Sequence, residues 1–237
     1  GSLRLWRRAD GRQVARIPNQ SGYLWSVAFS PDGRLLATAG DDARIYLYRI
    51  GGSEEGDVSL ALERVLTSHE GTVRSVCFSP NGAELASCGV DGMVRLWSWA
   101  ATDEANTPVT LFGHTDRVFR VVYSPNGRTL ASAGADTTIR LWDNATGKCV
   151  RTLYGHEARI AALAFAPDGQ TLASGGVDTE IRLWHMARGK CVKVLSRHSE
   201  PLLAVAFSPD GRYLASAGHG TSICLWATHG WQQIRQF

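Results

Sequence analysis

One spacing recurs five times along this chain and restricts what it can fold into. An aromatic residue in a short apolar segment is followed nine residues on by Ser or Thr, and nineteen residues on by Trp or Tyr. The sets are Phe29/Thr38/Tyr48, Phe78/Ser87/Trp97, Tyr123/Ser132/Trp142, Phe165/Ser174/Trp184 and Phe207/Ser216/Trp226. A period of roughly 40 residues built from short strands predicts radial repetition of four-stranded sheets. Four antiparallel strands cannot hide both of their faces alone; stacked around an axis, each sheet covers its neighbour.

The stretch from Arg159 to Trp184 shows the unit. Residues 160–165 are apolar-rich and predict a buried inner strand. Ala166-Pro167-Asp168-Gly169 predicts a turn, in which Pro pre-sets φ, Asp tolerates the bridge region and Gly accepts positive φ. A second strand is predicted over 171–175, a tight turn over Val177-Asp178-Thr179, a third strand over 181–184 and an outer fourth over 190–195. The same turn recurs as Ser30-Pro31-Asp32-Gly33, Ser79-Pro80-Asn81-Gly82, Ser124-Pro125-Asn126-Gly127 and Ser208-Pro209-Asp210-Gly211.

Composition narrows the class further. At 237 residues the chain can bury a large core as a single domain. Its net charge of +3, from 25 basic and 22 acidic residues, gives no strong field for nucleic acid or membrane. No apolar run approaches the ~18 residues a spanning helix needs, and no stretch reads as a secretory signal. The five cysteines, Cys77, Cys88, Cys149, Cys191 and Cys224, are odd in number and scattered. They read as buried small apolar residues in a reducing, cytoplasmic setting. Cys149 and Cys191 share a repeat phase and so fall one sheet apart, whereas Cys77 and Cys88 belong to neighbouring strands.

On these residues the chain resembles the WD40-repeat family of β-propellers. Gly113-His114 and Gly155-His156 match the family's Gly-His pair, and Trp142-Asp143 matches the dipeptide that names it. Elsewhere the dipeptide decays to Trp97-Ser98, Trp184-His185 and Trp226-Ala227. The resemblance covers essentially the whole chain and implies an all-β propeller. The predicted organisation is one propeller region over 1–237, with a half blade over 1–20 and repeats over 21–68, 69–113, 114–155, 156–197 and 198–237. From each third-strand aromatic to the next His position takes 14 residues after Trp6, Trp142 and Trp184, 17 after Trp97 and 21 after Tyr48. The extra residues fall around Ala100–Asn106 and in the acidic, glycine-rich stretch from Gly51 to Asp57, which predicts a solvated loop between third and fourth strands.

Ser, His and Asp fall into register three times: His69/Ser87/Asp91, His114/Ser132/Asp136 and His156/Ser174/Asp178. Any one of them has the residue types of a nucleophile, base and orienter. A hydrolase needs one such constellation beside an oxyanion hole, not three at identical spacing. The resemblance implies instead a structural network in which Asp accepts from His, His bonds Ser, and the hydroxyl meets the indole of Trp97, Trp142 or Trp184. Two repeats depart from it. Gln20 stands where His belongs before Thr38 and Asp42; His198 and Ser216 are present, but Gly220 replaces the Asp. Those two sheets are expected to be less tightly pinned. His219, next to the missing Asp, either substitutes for it or points outward. No His, Cys, Asp or Glu cluster has metal spacing and no Gly-rich phosphate loop is present, so neither a cofactor nor catalysis is expected.

Counting strands gives about five and a half four-stranded blades. Residues 3–6 and 14–17 read as the third and fourth strands of a blade that lacks its two inner strands, and residues 232–237 close the last blade. Propellers of this family usually have seven blades, so the ring is expected to be incomplete: a fragment of a larger protein, with the missing strands supplied by another segment or chain.

With the scaffold accounted for, recognition falls to the loop ends. The face that commonly binds peptides and proteins in WD40 proteins corresponds here to positions four and six before each inner-strand aromatic, plus the residue before the turn Asp. Tyr23, Trp25, Arg74, Arg117, Phe119 and Arg159 stand out, because Arg and aromatics are enriched at interaction hot spots and Arg pairs bidentately with carboxylate or phosphate. The alternative is an ordinary rim, with Trp25 and Phe119 partly buried. The residues therefore point to a non-catalytic scaffold gripping a protein or peptide, acidic or phosphorylated. A regulatory propeller of a larger signalling NTPase or kinase is the alternative, and ribonucleoprotein association a weaker one disfavoured by the modest charge.

Overall fold

A computed structural model describes residues 2–17, 22–52, 58–99 and 107–237. Every regular element among them is a β-strand. Among the described residues no helix is long and apolar enough to cross a membrane. The chain divides into two compact units, residues 1–110 and 111–237.

Unit 1 opens with a two-stranded antiparallel sheet, β1 (Leu3–Trp6) and β2 (Gln13–Ile17). This is the pair expected of a blade without inner strands. Next comes a four-stranded sheet in sequence order: β3 (Leu24–Phe29), β4 (Leu35–Gly40), β5 (Arg44–Gly52) and β6 (Val58–Thr67). A second four-stranded sheet holds β7 (Val73–Phe78), β8 (Leu85–Gly89), β9 (Val94–Trp97) and β10 (Val109–Leu111), the last strand ending on the first residue of unit 2.

Unit 2 contains three more sheets. The first is β11 (Val118–Tyr123), β12 (Thr129–Gly134), β13 (Ile139–Asp143) and β14 (Cys149–Leu153). The second is β15 (Ile160–Phe165), β16 (Thr171–Gly176), β17 (Glu180–His185) and β18 (Lys190–Ser196). The third is β19 (Leu202–Phe207), β20 (Tyr213–Gly218), β21 (Ile223–Ala227) and β22 (Gln232–Gln236). All the strand pairs are antiparallel, so short turns join them.

The first turn of each sheet follows the sequence signal. Gly33 donates its N–H to the Ser30 carbonyl at 2.9 Å with φ near 71°, a conformation that glycine adopts without a Cβ penalty. The Ser30 hydroxyl bonds Asp32 at 2.6 Å and accepts from Leu35 N at 2.8 Å, locking the register of β3 against β4.

The cores lie between sheets within each unit. In unit 1, Ala37, Ala39, Ile45 and Leu47 pack with Val76, Phe78, Leu85 and Trp97. In unit 2, Ala131, Ile139 and Leu141 pack with Ile160, Leu163, Leu172 and Trp184, and Ala173, Ile181 and Leu183 pack with Leu202, Val205, Leu214 and Trp226. Small residues at alternate positions of the second strands, such as Ala37 and Ala39, Ala86 and Cys88, or Ala173 and Gly175, let neighbouring sheets approach, while each buried Leu, Ile or Val contributes roughly 1.5–3 kcal/mol. Coverage of β3 differs. Val27 and Phe29 are each 56% exposed, whereas their equivalents in β7, Val76 and Phe78, are 4% and 8% exposed. The β1–β2 pair reaches the buried Leu36 and Tyr48 through Leu3, and among the described residues no further strand pairs with it to lie over Val27 and Phe29.

Two expectations are corrected, and an alternative left open at His219 is decided. Gly51 and Gly52 are not loop: β5 runs through them, paired with Ser59 and Val58, because the two insert-flanking strands extend the hairpin. The rest of that stretch, 53–57, lies outside the described residues, as do Gln20 and the insertion at 100–106. The cysteines are not uniformly buried: Cys88 and Cys224 are, Cys77 and Cys191 are half-buried, and Cys149 is exposed. Cys149 and Cys191 sit at the start of outer strands opposite Trp142 and Trp184, where solvent reaches the sheet edge. His219 does not stand in for the missing carboxylate, since its side chain forms no hydrogen bond among the described residues.

Candidate functional site

The Ser, His, Asp and Trp side chains of three sheets meet in chains of hydrogen bonds. His69 Nε2 lies 2.8 Å from Ser87 Oγ, Trp97 Nε1 donates to the same oxygen at 2.8 Å, and His69 Nδ1 lies 2.9 Å from Asp91 Oδ2. For His114 with Ser132, Trp142 and Asp136 the distances are 2.7, 2.8 and 2.7 Å. For His156 with Ser174, Trp184 and Asp178 they are 2.7, 2.8 and 2.6 Å. In the networks of His114 and His156 donor counting places the protons: the indole must donate to the hydroxyl, the hydroxyl then donates to Nε2, and Nδ1–H is left to donate to the carboxylate. At His69 the Arg95 guanidinium, a donor only, also lies 2.7 Å from Nδ1, so the count does not assign that ring's proton. Ser87, Ser132 and Ser174 are fully buried, so no substrate reaches the hydroxyl that a hydrolase would use.

The carboxylate also holds its turn. Asp178 accepts from Glu157 N at 3.2 Å and Glu180 N at 3.4 Å; Asp136 accepts from Thr115 N at 3.2 Å and Thr138 N at 3.1 Å. Burial alone raises a carboxyl's pKa, but the His114 hydrogen bond and charge outweigh it and bring Asp136 to about 2. Asp91 and Asp178 are likewise held below the ordinary range against burial, chiefly by His69 and His156. Around His69 the buried Arg95 adds a 2.6 Å ion pair to Asp91. Burial, assisted by Arg95 and opposed by Asp91, depresses the His69 pKa.

The rim is built by a different device. The inner strand of each four-stranded sheet carries a register shift that skips one residue: Trp25, Arg74, Phe119, Ala161 or Leu203. A β-bulge re-aims the side chain at that position and bends the strand. Two residues earlier, each backbone carbonyl accepts the N–H of the residue before the turn Asp or its replacement: Asp41 N to Tyr23 O at 3.1 Å, Val90 N to Thr72 O at 3.0 Å, Ala135 N to Arg117 O at 2.8 Å, Val177 N to Arg159 O at 3.0 Å and His219 N to Pro201 O at 2.9 Å. A glycine closes the second strand beneath this contact; a Cβ on Gly89 would sit 2.6 Å from Thr72 O.

In unit 1 the rim residues form one cluster. Asp41 accepts from Trp25 Nε1 at 2.6 Å, from Tyr23 N at 2.8 Å and from Thr72 Oγ1 at 3.4 Å. The Tyr23 and Trp25 bonds keep its carboxyl below the ordinary value. The Arg74 guanidinium lies 3.7 Å from the Trp25 ring centroid, and Tyr23 packs against Trp25 at 6.1 Å. Tyr23 is 73% and Trp25 46% exposed. In unit 2, exposed Arg159 lies 6.0 Å from the ring centroid of half-buried Phe119, and Arg117 is exposed, its N–H bonded to Asp116 at 2.7 Å. Arg74 belongs to unit 1; Arg117 and Arg159 belong to unit 2.

Asp41 has no acidic counterpart: its equivalents before the turn Asp or its replacement are Val90, Ala135, Val177 and His219, and a carboxylate at that position is the signal the sequence carries.

The family model described as WD domain, G-beta repeat, matches residues 11–49, 61–98, 106–143, 147–185 and 189–227. The chain belongs to this family. Each match begins in or just before the outer strand of one sheet and ends in or just after the third strand of the next, so the sequence repeat and the sheet are offset. A search of curated proteins returned no match. WD40 repeats generally mediate protein–protein interaction and are typically non-catalytic.

Proposed function

We propose that this chain is a non-catalytic recognition scaffold whose loop-bearing rim grips an acidic or phosphorylated segment of a partner protein. The Tyr23–Trp25–Asp41–Arg74 cluster carries the reading: an exposed aromatic pair with a guanidinium stacked on it, fixed by a buttressing carboxylate. Such a surface offers apolar area for a peptide and a planar cation for an oxyanion, with little rotamer entropy left to lose. The Phe119–Arg159 pair repeats the chemistry in unit 2. The test uses arrayed acidic and phosphorylated peptides and their neutral counterparts against the whole chain. The reading predicts preferential capture of the anionic set and its loss in Arg74→Glu/Arg117→Glu, with an unchanged circular dichroism spectrum and melting temperature. Equal capture by the parent and the folded double variant contradicts it.

A further inference from the structure

In the last sheet the network stops one group short, and a cavity marks the place. His198 Nε2 lies 2.8 Å from Ser216 Oγ, which also accepts from Trp226 Nε1 at 2.9 Å. The imidazole is therefore oriented as in the three complete networks. The same donor count puts a proton on Nδ1, where the sibling rings find Asp91, Asp136 and Asp178. Here the position belongs to Gly220, and Nδ1 has no acceptor among the described residues.

The turn has also changed. In the other four sheets the residue after the Asp is left-handed: Ala43, Gly92, Thr137 and Thr179 have φ of 62°, 76°, 62° and 65°. Thr221 is not, and no carboxylate tethers the loop to the segment around Ser199. The result is a cavity of about 350 Å³, lined by His198 together with Arg197, Ser199, His219, Thr221 and Ser222. Glu200 is the acidic residue on its wall and Cys224 a further titratable group there.

From this vacancy in an otherwise repeated network, we infer that the cavity at His198 is a carboxylate-binding site, taking from outside the chain the group that Asp supplies in the other sheets. The ligand carboxylate accepts from His198 Nδ1, with the Arg197 guanidinium and the Ser199, Thr221 and Ser222 hydroxyls lining its surroundings. Charge-assisted bonds of this kind are the stronger class, and the cavity has room for a small organic acid or for the carboxylate of an inserted Asp, Glu or chain end. The site lies wholly within unit 2 and stands independently of the aromatic rim.

The experiment titrates the whole chain, labelled with ¹⁵N at histidine, with sodium formate and acetate at constant ionic strength against sodium chloride. A parallel arm uses one short peptide with a free C-terminal carboxylate and its amide. The inference predicts a saturable shift of the His198 Nδ1 resonance with carboxylates and none with chloride or the amide. Gly220→Asp, whose Cβ would meet only the Glu200 side chain at 3.6 Å, should weaken that binding by about tenfold or more by filling the site. Saturation by formate and acetate alone identifies a free acid as ligand; saturation by the peptide identifies a protein carboxylate. Absence of a saturable shift with every carboxylate overturns the inference, as does unchanged binding in folded Gly220→Asp. Binding that appears only in Glu200→Gln also overturns it, because the chain's own Glu200 is then the occupant.

Discussion

The sheets β15–β18 and β19–β22 follow one another in sequence and share the same ruler, yet one closes its network on Asp178 and the other ends at Gly220. Their difference separates two jobs. The hydroxyl, imidazole and indole meet at nearly the same distances in both sheets, so the carboxylate is not needed to orient the ring. It is the turn that differs: Thr179 is left-handed and its N–H reaches Gly176 O at 3.2 Å, while Thr221 adopts neither feature. Ser and Trp tie the second and third strands together; Asp ties the turn to the loop that precedes the inner strand. That loop leads into the rim, so the carboxylate anchors the backbone next to the rim side chains.

The sharpest way to break this comparison is to convert one sheet into the other. Asp178→Ala orphans the Nδ1–H of a buried imidazole and two backbone N–H groups, and should cost about 1.5–3 kcal/mol in denaturant unfolding. Gly220→Asp is the reverse change and should stabilise by about 0.5–1.5 kcal/mol, provided the added carboxylate recovers the Nδ1 bond. Hydrogen exchange at residues 177–180 and 219–222 resolves where each effect falls. Faster exchange confined to the first turn in Asp178→Ala, and slower exchange confined to the second in Gly220→Asp, is the predicted pattern.

A smaller separation should appear with pH. His198 and His69 are both held below the ordinary 6.5, chiefly by burial. The unfolded chain then binds more protons than the folded one below that value, so their contribution to stability is complete above it and begins to fall as pH drops through 6.5. The carboxylates act lower. Asp91, Asp136 and Asp178 sit below the ordinary 3.8, so their contribution is complete above that value and is lost as pH falls toward about 2, the value of Asp136. Melting curves across this range should show two stages of acid destabilisation. Gly220→Asp should reduce the first, because a facing carboxylate favours protonated His198.

Much of this was legible in the sequence because the repeat supplied its own controls. The Pro-Asp-Gly or Pro-Asn-Gly turn and the spacing of His, Ser, Asp and Trp each encode a local geometry that physics leaves little freedom to change. The two-stranded opening followed from counting. The bulges at Trp25, Arg74 and Phe119 were not legible, since a bulge is a register relation between two strands and any residue can occupy it. Gly51 and Gly52 carry a turn signal, but pairing with Ser59 and Val58 overrides it. Cys149 looked like core by residue type, yet an outer strand offers solvent access that type cannot reveal. The substitution of Gly220 was visible; the cavity it leaves depends on how the turn relaxes, and only the three-dimensional structure shows that.

The central claim is that the repeated imidazole and carboxylate pairs are internal ties. The most direct test is a double-mutant cycle on His156 and Asp178, read by denaturant unfolding of His156→Ala, Asp178→Ala and the double variant. The account predicts a favourable coupling of about 1–3 kcal/mol between the two side chains. Strict additivity of the two single losses would contradict it.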